Sequence, residues 1–245
     1  MPYNKKPKMI LFDVGGTLFS GSNFSAAKGF DALLKYAKSA ENISGEKLEK
    51  LWTEYYEGTG KLKSEAGKPL DIPLSAVIKY ATMNAGIEIN LPMTEQEEIF
   101  DRFNSSRTVI DGVPQLLEAI HSLGIRTAVI SNNAMSGESL ALAIKHWIPD
   151  ADMEFCLTSA DLLFCKPDKM LFEAAASFAH LSPAECWYCG DGRIPDVDGA
   201  RNAGMIPVLL DTKSPHPLEM RTDGGNGEYM AVNHWNVLTE YLKTL

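Results

Sequence analysis

Short apolar runs recur along the chain at about 8–14, 125–132, 153–159, 186–191 and 206–211, with a weaker one near 230–235. Bounded by turn-forming residues, such runs read as strands buried on both faces. Between them apolar residues return at a helical period. From Gly112 to Leu123 they fall at 113, 116, 117 and 120, and Ser139 to Trp147 and Leu171 to Ala179 behave alike. Strands alternating with helices predict an α/β fold built on a largely parallel, doubly wound sheet.

Between Thr17 and Val109 the pattern changes. Strand signals disappear and helices follow one another. Ser44 is placed to cap a helix running through Leu48, Leu51, Trp52 and Tyr55, and a second helix spans about Pro73 to Asn84 and stops before Gly86. Thr94-Glu95-Gln96-Glu97 reads as a capping box opening a third helix to about Phe103. The polar segment from Gly58 to Pro73 reads as a loop. The stretch from Asp211 to Gly227, with Pro215 and Pro217, reads as an exposed loop before the last strand. The predicted boundaries are a core of residues 1–17 and 108–245 and an all-helical insert of residues 18–107.

Chemistry enters at the end of the first run. Met9-Ile10-Leu11-Phe12 leads into Asp13, then Val14-Gly15-Gly16-Thr17. A carboxylate at the C-terminal end of such a strand sits where open α/β sheets place their ligands, and a carboxylate can attack phosphorus to give an acyl phosphate that water later hydrolyses. Gly15 and Gly16 permit a sharp backbone turn beside a bound anion. Thr17 either orients Asp13 through its hydroxyl or is an ordinary turn residue. Ser131-Asn132, Lys166-Pro167 and Gly190-Asp191…Asp196 follow in that order, each after or near another predicted strand. The Ser131 hydroxyl and the Asn132 amide are placed to hold a phosphoryl oxygen. Lys166 supplies a compact positive charge for both carboxylate and phosphoryl group. Asp191 and Asp196, with Asp13, form a hard oxygen set suited to Mg²⁺. Lys169 reads as a surface charge and Asp198 as a helix-start residue.

Those four ordered blocks resemble the haloacid dehalogenase superfamily, whose members mostly cleave phosphate esters through an aspartyl-phosphate intermediate. The resemblance runs from residue 8 to about 235. It implies a Rossmann-like core with a helical cap inserted after the first strand, catalytic Asp13, Ser131 and Lys166, and substrate contacts from Gly16, Thr17 and Asn132. It further implies a Mg²⁺ site of Asp13, Asp191, Asp196 and the backbone carbonyl of Gly15.

One position departs from the family pattern. Most phosphatases of the family carry a second aspartate two residues after the nucleophile, which protonates the leaving oxygen and then activates water; here that residue is Gly15. The resemblance therefore implies three readings. The first is a Mg²⁺-dependent phosphatase of a small phosphorylated metabolite in which water or a side chain such as Tyr55, Tyr56, Lys61 or Lys63 replaces the acid. The second is a dehalogenase or phosphonate hydrolase, for which a glycine there is harmless. The third is a non-enzymatic phosphate-binding or regulatory protein.

Composition narrows the partners. The 245 residues are 45% hydrophobic and 22% charged, those of an ordinary globular protein, and the net charge of −9 argues against nucleic acid or anionic membrane as a partner. No apolar run approaches a membrane span. Residues 18–107 hold 11 basic and 13 acidic side chains, so the insert is close to neutral. Four cysteines and no secretory leader predict a reducing, cytoplasmic setting. Cys186 and Cys189 have CxxC spacing but lie in a predicted strand, where residues three apart face opposite ways. His121, His146, His180, His216 and His234 show no metal-ligand spacing and read as surface or helix-end residues. A monomer or a homodimer is compatible with all of this.

Overall fold

The computed structural model describes residues 2–65, 71–222 and 227–245, with side chains from residue 3 to residue 59 in the first of these segments. The strands are β1 (Met9–Phe12), β2 (Phe19–Ser22), β3 (Ser106–Val109), β4 (Arg126–Ser131), β5 (Cys156–Thr158), β6 (Cys186–Gly190), β7 (Ile206–Leu210), β8 (Leu218–Thr222) and β9 (Glu228–Val232). Seven of them form one sheet in the order β5-β4-β1-β6-β7-β9-β8, parallel throughout except for β8, which runs antiparallel to β9 at the edge. β1 lies inside it between β4 and β6, with Phe12 in register with Val129 of β4 and Cys189 of β6. The chain leaves β1 toward β4 on one side and leaves β6 toward β7 on the other. The crevice above the strand ends at β1 and β6 is therefore the topological switch point where such sheets bind ligands.

Alternation along the strands divides the core. Ile10, Phe12, Val129, Trp187 and Cys189 face one layer, packed by helices α5 (Val113–Ser122), α6 (Gly137–Trp147) and α10 (Trp235–Leu242). Met9, Leu11, Ile130, Cys186 and Tyr188 face the other, packed by α8 (Lys169–Phe178) and α9 (Gly199–Asn202). Cys186 and Cys189 thus point into opposite layers, and all four cysteines are buried thiols outside any disulfide.

Four helices fill the interval between β2 and β3: α1 (Ala26–Leu34), α2 (Gly45–Glu65), α3 (Leu74–Asn84) and α4 (Met93–Asn104). They bury a cluster of their own around Phe30, Leu33, Leu48, Ile78 and Phe100, which also takes in Met135 and Ala143 from the segment after β4. Trp52 stacks on Phe100 and Tyr56, with ring centroids 5.0 and 5.4 Å apart. Ser44 caps α2 as expected, its hydroxyl accepting from the Lys47 amide at 3.4 Å.

Four expectations are corrected. The interval does contain strands: β2 and β3 pair antiparallel as a two-stranded ribbon where the chain leaves and rejoins the core. Phe-Ser-Gly-Ser has no apolar alternation, and three of its four residues are exposed, which hides it from pattern reading. The segment from Gly58 continues α2 to Glu65 rather than forming a loop; residues 66–70 lie outside the described residues. Within the expected loop from Asp211 to Gly227, Leu218–Thr222 forms edge strand β8. The capping box at Thr94 does not form: α4 begins at Met93 with Pro92 as its cap and no side-chain cap bond. The Glu97 carboxylate is engaged elsewhere. It accepts from the Ser75 amide at 2.9 Å and, at the start of α6, from the Ser136 amide at 3.1 Å and the Ser136 and Ser139 hydroxyls at 2.6 Å. Glu97 is buried, and it joins the first turns of α3 and α6, where a negative charge meets unpaired helix amides.

Candidate active site

The three central strands end side by side, and each delivers a polar residue to the same rim. β1 ends into Asp13, whose amide donates to the Cys189 carbonyl at 2.9 Å. β4 ends in buried Ser131, and β6 ends in Gly190 just before Asp191. After Asp13 the chain turns sharply: the amides of Thr17, Leu18 and Phe19 all approach the Val14 carbonyl, and the Gly16 amide donates to the Phe19 carbonyl at 2.7 Å. Gly16 has φ +75°, and a Cβ there would lie 2.1 Å from Asp191 Oδ2. Only glycine permits both the conformation and this approach of backbone to carboxylate.

Lys166 is the hub. Its Nζ lies 2.7 Å from Asp13 Oδ1, 2.7 Å from Asp196 Oδ1 and 2.8 Å from the Tyr188 hydroxyl. Its side chain is only 3% exposed. The Tyr188 hydroxyl donates to the Ile130 carbonyl at 2.9 Å and so accepts from Lys166. Asn132 holds the lysine backbone: its Oδ1 accepts from the Lys166 amide at 2.7 Å and its Nδ2 donates to the Lys166 carbonyl at 3.1 Å. The Lys166–Pro167 peptide is cis.

Asp13, Asp191 and Asp196 each bring one carboxylate oxygen within 4.8 Å of the others. Asp196 is fixed further by the Gly192 amide, which donates to its Oδ2 at 2.7 Å. Burial pushes the Asp13 carboxyl above its ordinary range, with Lys166 opposing and Asp196 adding to the rise. Asp191 stands at the open side of the cluster; partial burial and then the charges of Asp13 and Asp196 raise it too. Three carboxylates around one ammonium leave a formal charge of −2. That donor set and that charge fit a hard divalent cation.

The structure thus brings together Asp13, Gly15, Gly16, Ser131, Asn132, Lys166, Asp191 and Asp196, as their places in the sequence suggested. Thr17 is corrected: it is fully buried, its hydroxyl has no hydrogen-bond partner among the described residues, and it does not orient Asp13. Its carbonyl instead accepts from Trp235 Nε1 at 2.8 Å. Asp198 begins α9 and pairs with Arg193 and Arg201 rather than with the cluster. Tyr55 and Tyr56 pack on Tyr80 and Trp52, and the side chains of Lys61 and Lys63 lie outside the described residues. Sequence reading missed Tyr188, whose hydroxyl touches both Lys166 and Asp196. Its signal was a phenol inside an otherwise apolar strand, on the same face as Met9 and Leu11.

Comparison with known proteins agrees with this arrangement. A family model for haloacid dehalogenase-like hydrolases matches residues 7–204. Human haloacid dehalogenase-like hydrolase domain-containing protein 3 is 31% identical over 118 residues, 46% of this chain and 45% of the relative. The chain thus spans about half the length of the curated relatives it matches. Among solved structures, a 2-haloacid dehalogenase from Pseudomonas syringae pv. Tomato DC3000 superposes with TM-score 0.57 at 19% identity, covering 97% of this chain and 99% of that one. A HAD phosphatase from Thermococcus onnurineus superposes with TM-score 0.55 at 17% identity, covering 96% and 97%. At these identities the structures speak for the fold alone. The motif order, the sheet topology and the family match lead to one statement: the chain belongs to the haloacid dehalogenase-like hydrolases.

Proposed function

We propose that this hydrolase is a Mg²⁺-dependent phosphatase that cleaves a small phosphate monoester through a phospho-Asp13 intermediate. The observation that carries the reading is the convergence of Asp13, Asp191 and Asp196 around Lys166 at the switch point of the sheet. In this reading an Asp13 oxygen attacks phosphorus, and the ester oxygen leaves with the electron pair of the broken P–O bond. Lys166 offsets the charge of Asp13 and of the transferring phosphoryl oxygens from a fixed, buried position. Ser131, at the end of β4, lines a cavity together with Gly15 and Asn132, and in this reading it donates to a phosphoryl oxygen. Water then attacks the acyl phosphate, releasing inorganic phosphate and restoring Asp13. Asp13, Asp191, Asp196 and the Gly15 carbonyl would hold the Mg²⁺, which when bound supplies charge neutralisation at the phosphoryl group.

Gly15 supplies no proton to the leaving oxygen, so phenolic and other weakly basic leaving groups are favoured over alkoxides. Helices α1–α4 serve as the cap over this site in our reading, and four buried cysteines without a disulfide suit a reducing, cytoplasmic setting. A carbon–halogen substrate needs no proton for its leaving group either, but it leaves the three-carboxylate cluster without a use.

The deciding experiment measures phosphate release from p-nitrophenyl phosphate with and without Mg²⁺, in the wild type and in Asp13→Asn. Turnover that requires both Mg²⁺ and Asp13 is expected. A folded wild type no more active than the variant overturns the reading in favour of phosphate binding without catalysis, and halide release without added metal favours the dehalogenase.

A further inference from the structure

We infer that the cavity beside Asp13 is a subsite for an acidic leaving group, in which Arg107 takes a carboxylate carried by the organic part of the phosphate ester. This deepens the phosphatase reading above and rests on it. The cavity, about 410 Å³, lies between the loop after β1 and the β2–β3 ribbon. One wall is formed by Val14, Gly15 and Ser131, the same strand ends that present Asp13; Phe19, Phe24 and Arg107 line the ribbon side. At Gly15 no atom lies within 4 Å of where a Cβ would stand, so the loop that follows Asp13 is open at that residue, which lines the cavity.

Arg107 is the only ionisable residue among the described residues that line this cavity. Every other polar contributor is an uncharged serine or asparagine. Its guanidinium is fixed from behind. Nη2 donates to Asp101 Oδ1 at 2.8 Å and Nη1 lies 2.6 Å from Asp101 Oδ2. The ring of Phe19 lies 5.7 Å from the guanidinium carbon. Asp101 is buried in α4 and is not among the described lining residues, whereas Arg107 is, so of the pair it is the cation that borders the ligand space. Nη2 donates one N–H to Asp101 and the ion pair holds the guanidinium plane still, leaving further donors of the fork for a planar anion. A carboxylate matches that fork with two parallel hydrogen bonds. An ammonium-bearing leaving group finds no carboxylate among the described lining residues, and a neutral one leaves the guanidinium unused. The dimensions admit a small organic acid.

The test compares two ligands without a scissile ester, 3-phosphonopropionate and propylphosphonate. They match in chain length and differ by a terminal carboxylate in place of a methyl. Calorimetric titration with Mg²⁺ present is expected to show the carboxylate ligand binding at least about tenfold more tightly, as for a charged hydrogen-bonded pair. In Arg107→Gln the ratio is expected to fall to near one, with propylphosphonate affinity unchanged. Equal affinities in the wild type, failure of both ligands to bind, or a preference that survives Arg107→Gln overturns the subsite. Should Arg107→Gln fail to fold for want of the Asp101 partner, the wild-type pair of affinities still decides. The two readings fail separately. Wild-type turnover of p-nitrophenyl phosphate with equal phosphonate affinities removes only the subsite, whereas a carboxylate preference without turnover removes the phosphatase and leaves a binding site for acidic phosphonates.

Discussion

Asn132 and Lys166 are joined twice, side chain to backbone: the asparagine amide accepts from the Lys166 N–H at 2.7 Å and donates to its carbonyl at 3.1 Å. The two residues lie on different loops, and this pair fixes where the lysine side chain begins. Nζ reaches Asp13 and Asp196 only from that position. Asn132→Ala is expected to lower kcat/KM by about a hundredfold, the scale of a misplaced catalytic group, while circular dichroism and melting stay near wild type. Steady-state kinetics on p-nitrophenyl phosphate check it, and an unchanged kcat/KM contradicts it.

Removing the charge itself should act on stability as well. Lys166→Met leaves Asp13 and Asp196 facing each other in a nearly dry site, and breaking a buried pair by removing one partner costs about 3–5 kcal/mol. A divalent cation binding to the remaining carboxylates favours the folded state by mass action. The variant is therefore expected to melt below wild type in EDTA and to gain more than wild type from added Mg²⁺. Calorimetric melts with and without the metal measure both.

Gly15 is open to substitution. It has no positive φ, and a Cβ there touches nothing. Gly15→Asp is expected to fold normally and to raise turnover of alkyl phosphates relative to p-nitrophenyl phosphate by about 10²-fold, the lower range for a general acid. The ratio of the two kcat/KM values reads this directly. A ratio that does not move shows that another group already protonates the leaving oxygen.

These residues were legible in the sequence for a physical reason. Asp13, Ser131 and Asp191 stand at the ends of strands that announce themselves as apolar runs, and Gly16 marks a turn no other residue makes. What escaped reading has no local signature. β2 and β8 are short, polar and half exposed, and their pairing is decided by partners far along the chain. Glu97 sits where a capping box is expected, yet its carboxylate is used by α3 and α6, a choice that depends on tertiary packing alone. Arg107 is one basic residue among many until the fold sets it beside the strand ends.

Glu97 therefore carries a prediction of its own. Glu97→Ala takes the acceptor from two backbone amides and from one hydroxyl proton of the Ser136–Ser139 pair, whose oxygens still meet at 2.7 Å, each unsatisfied group costing about 1–3 kcal/mol. A loss of several kcal/mol is expected in urea unfolding. Glu97→Gln, which keeps the acceptor oxygen but not the charge, should lose less. Equal losses would mean that packing rather than hydrogen bonding sets the role of this residue.

The thiols give a pH-dependent prediction. Burial pushes Cys186 from about 9 to about 11 and Cys156 from about 9 to about 12, and it raises Cys189 as well. Well below pH 9 these thiols are protonated in both folded and unfolded chains and contribute nothing to the pH dependence. Above it the unfolded chain loses protons that the folded chain keeps, so their contribution to stability falls as pH rises. Native protein at pH 8 is expected to show no fast-reacting thiol with a chromogenic disulfide reagent and four after unfolding, with melting lower at pH 10 than at pH 8.

The two-stranded ribbon has a consequence for how such a protein changes over evolutionary time. Because Phe19–Ser22 is zipped to Ser106–Val109, everything between them departs from and returns to neighbouring points on the molecule. Insertions or wholesale exchange of that interval need not disturb the register of the parallel strands that aim Asp13 and Lys166. What must be rebuilt is the seam with the segment after β4, the Glu97 hydrogen bonds and the packing on Met135 and Ala143. The helical unit is in this sense a replaceable cassette on a paired stalk, and new substrate preferences can be tried there while the reaction chemistry is inherited unchanged.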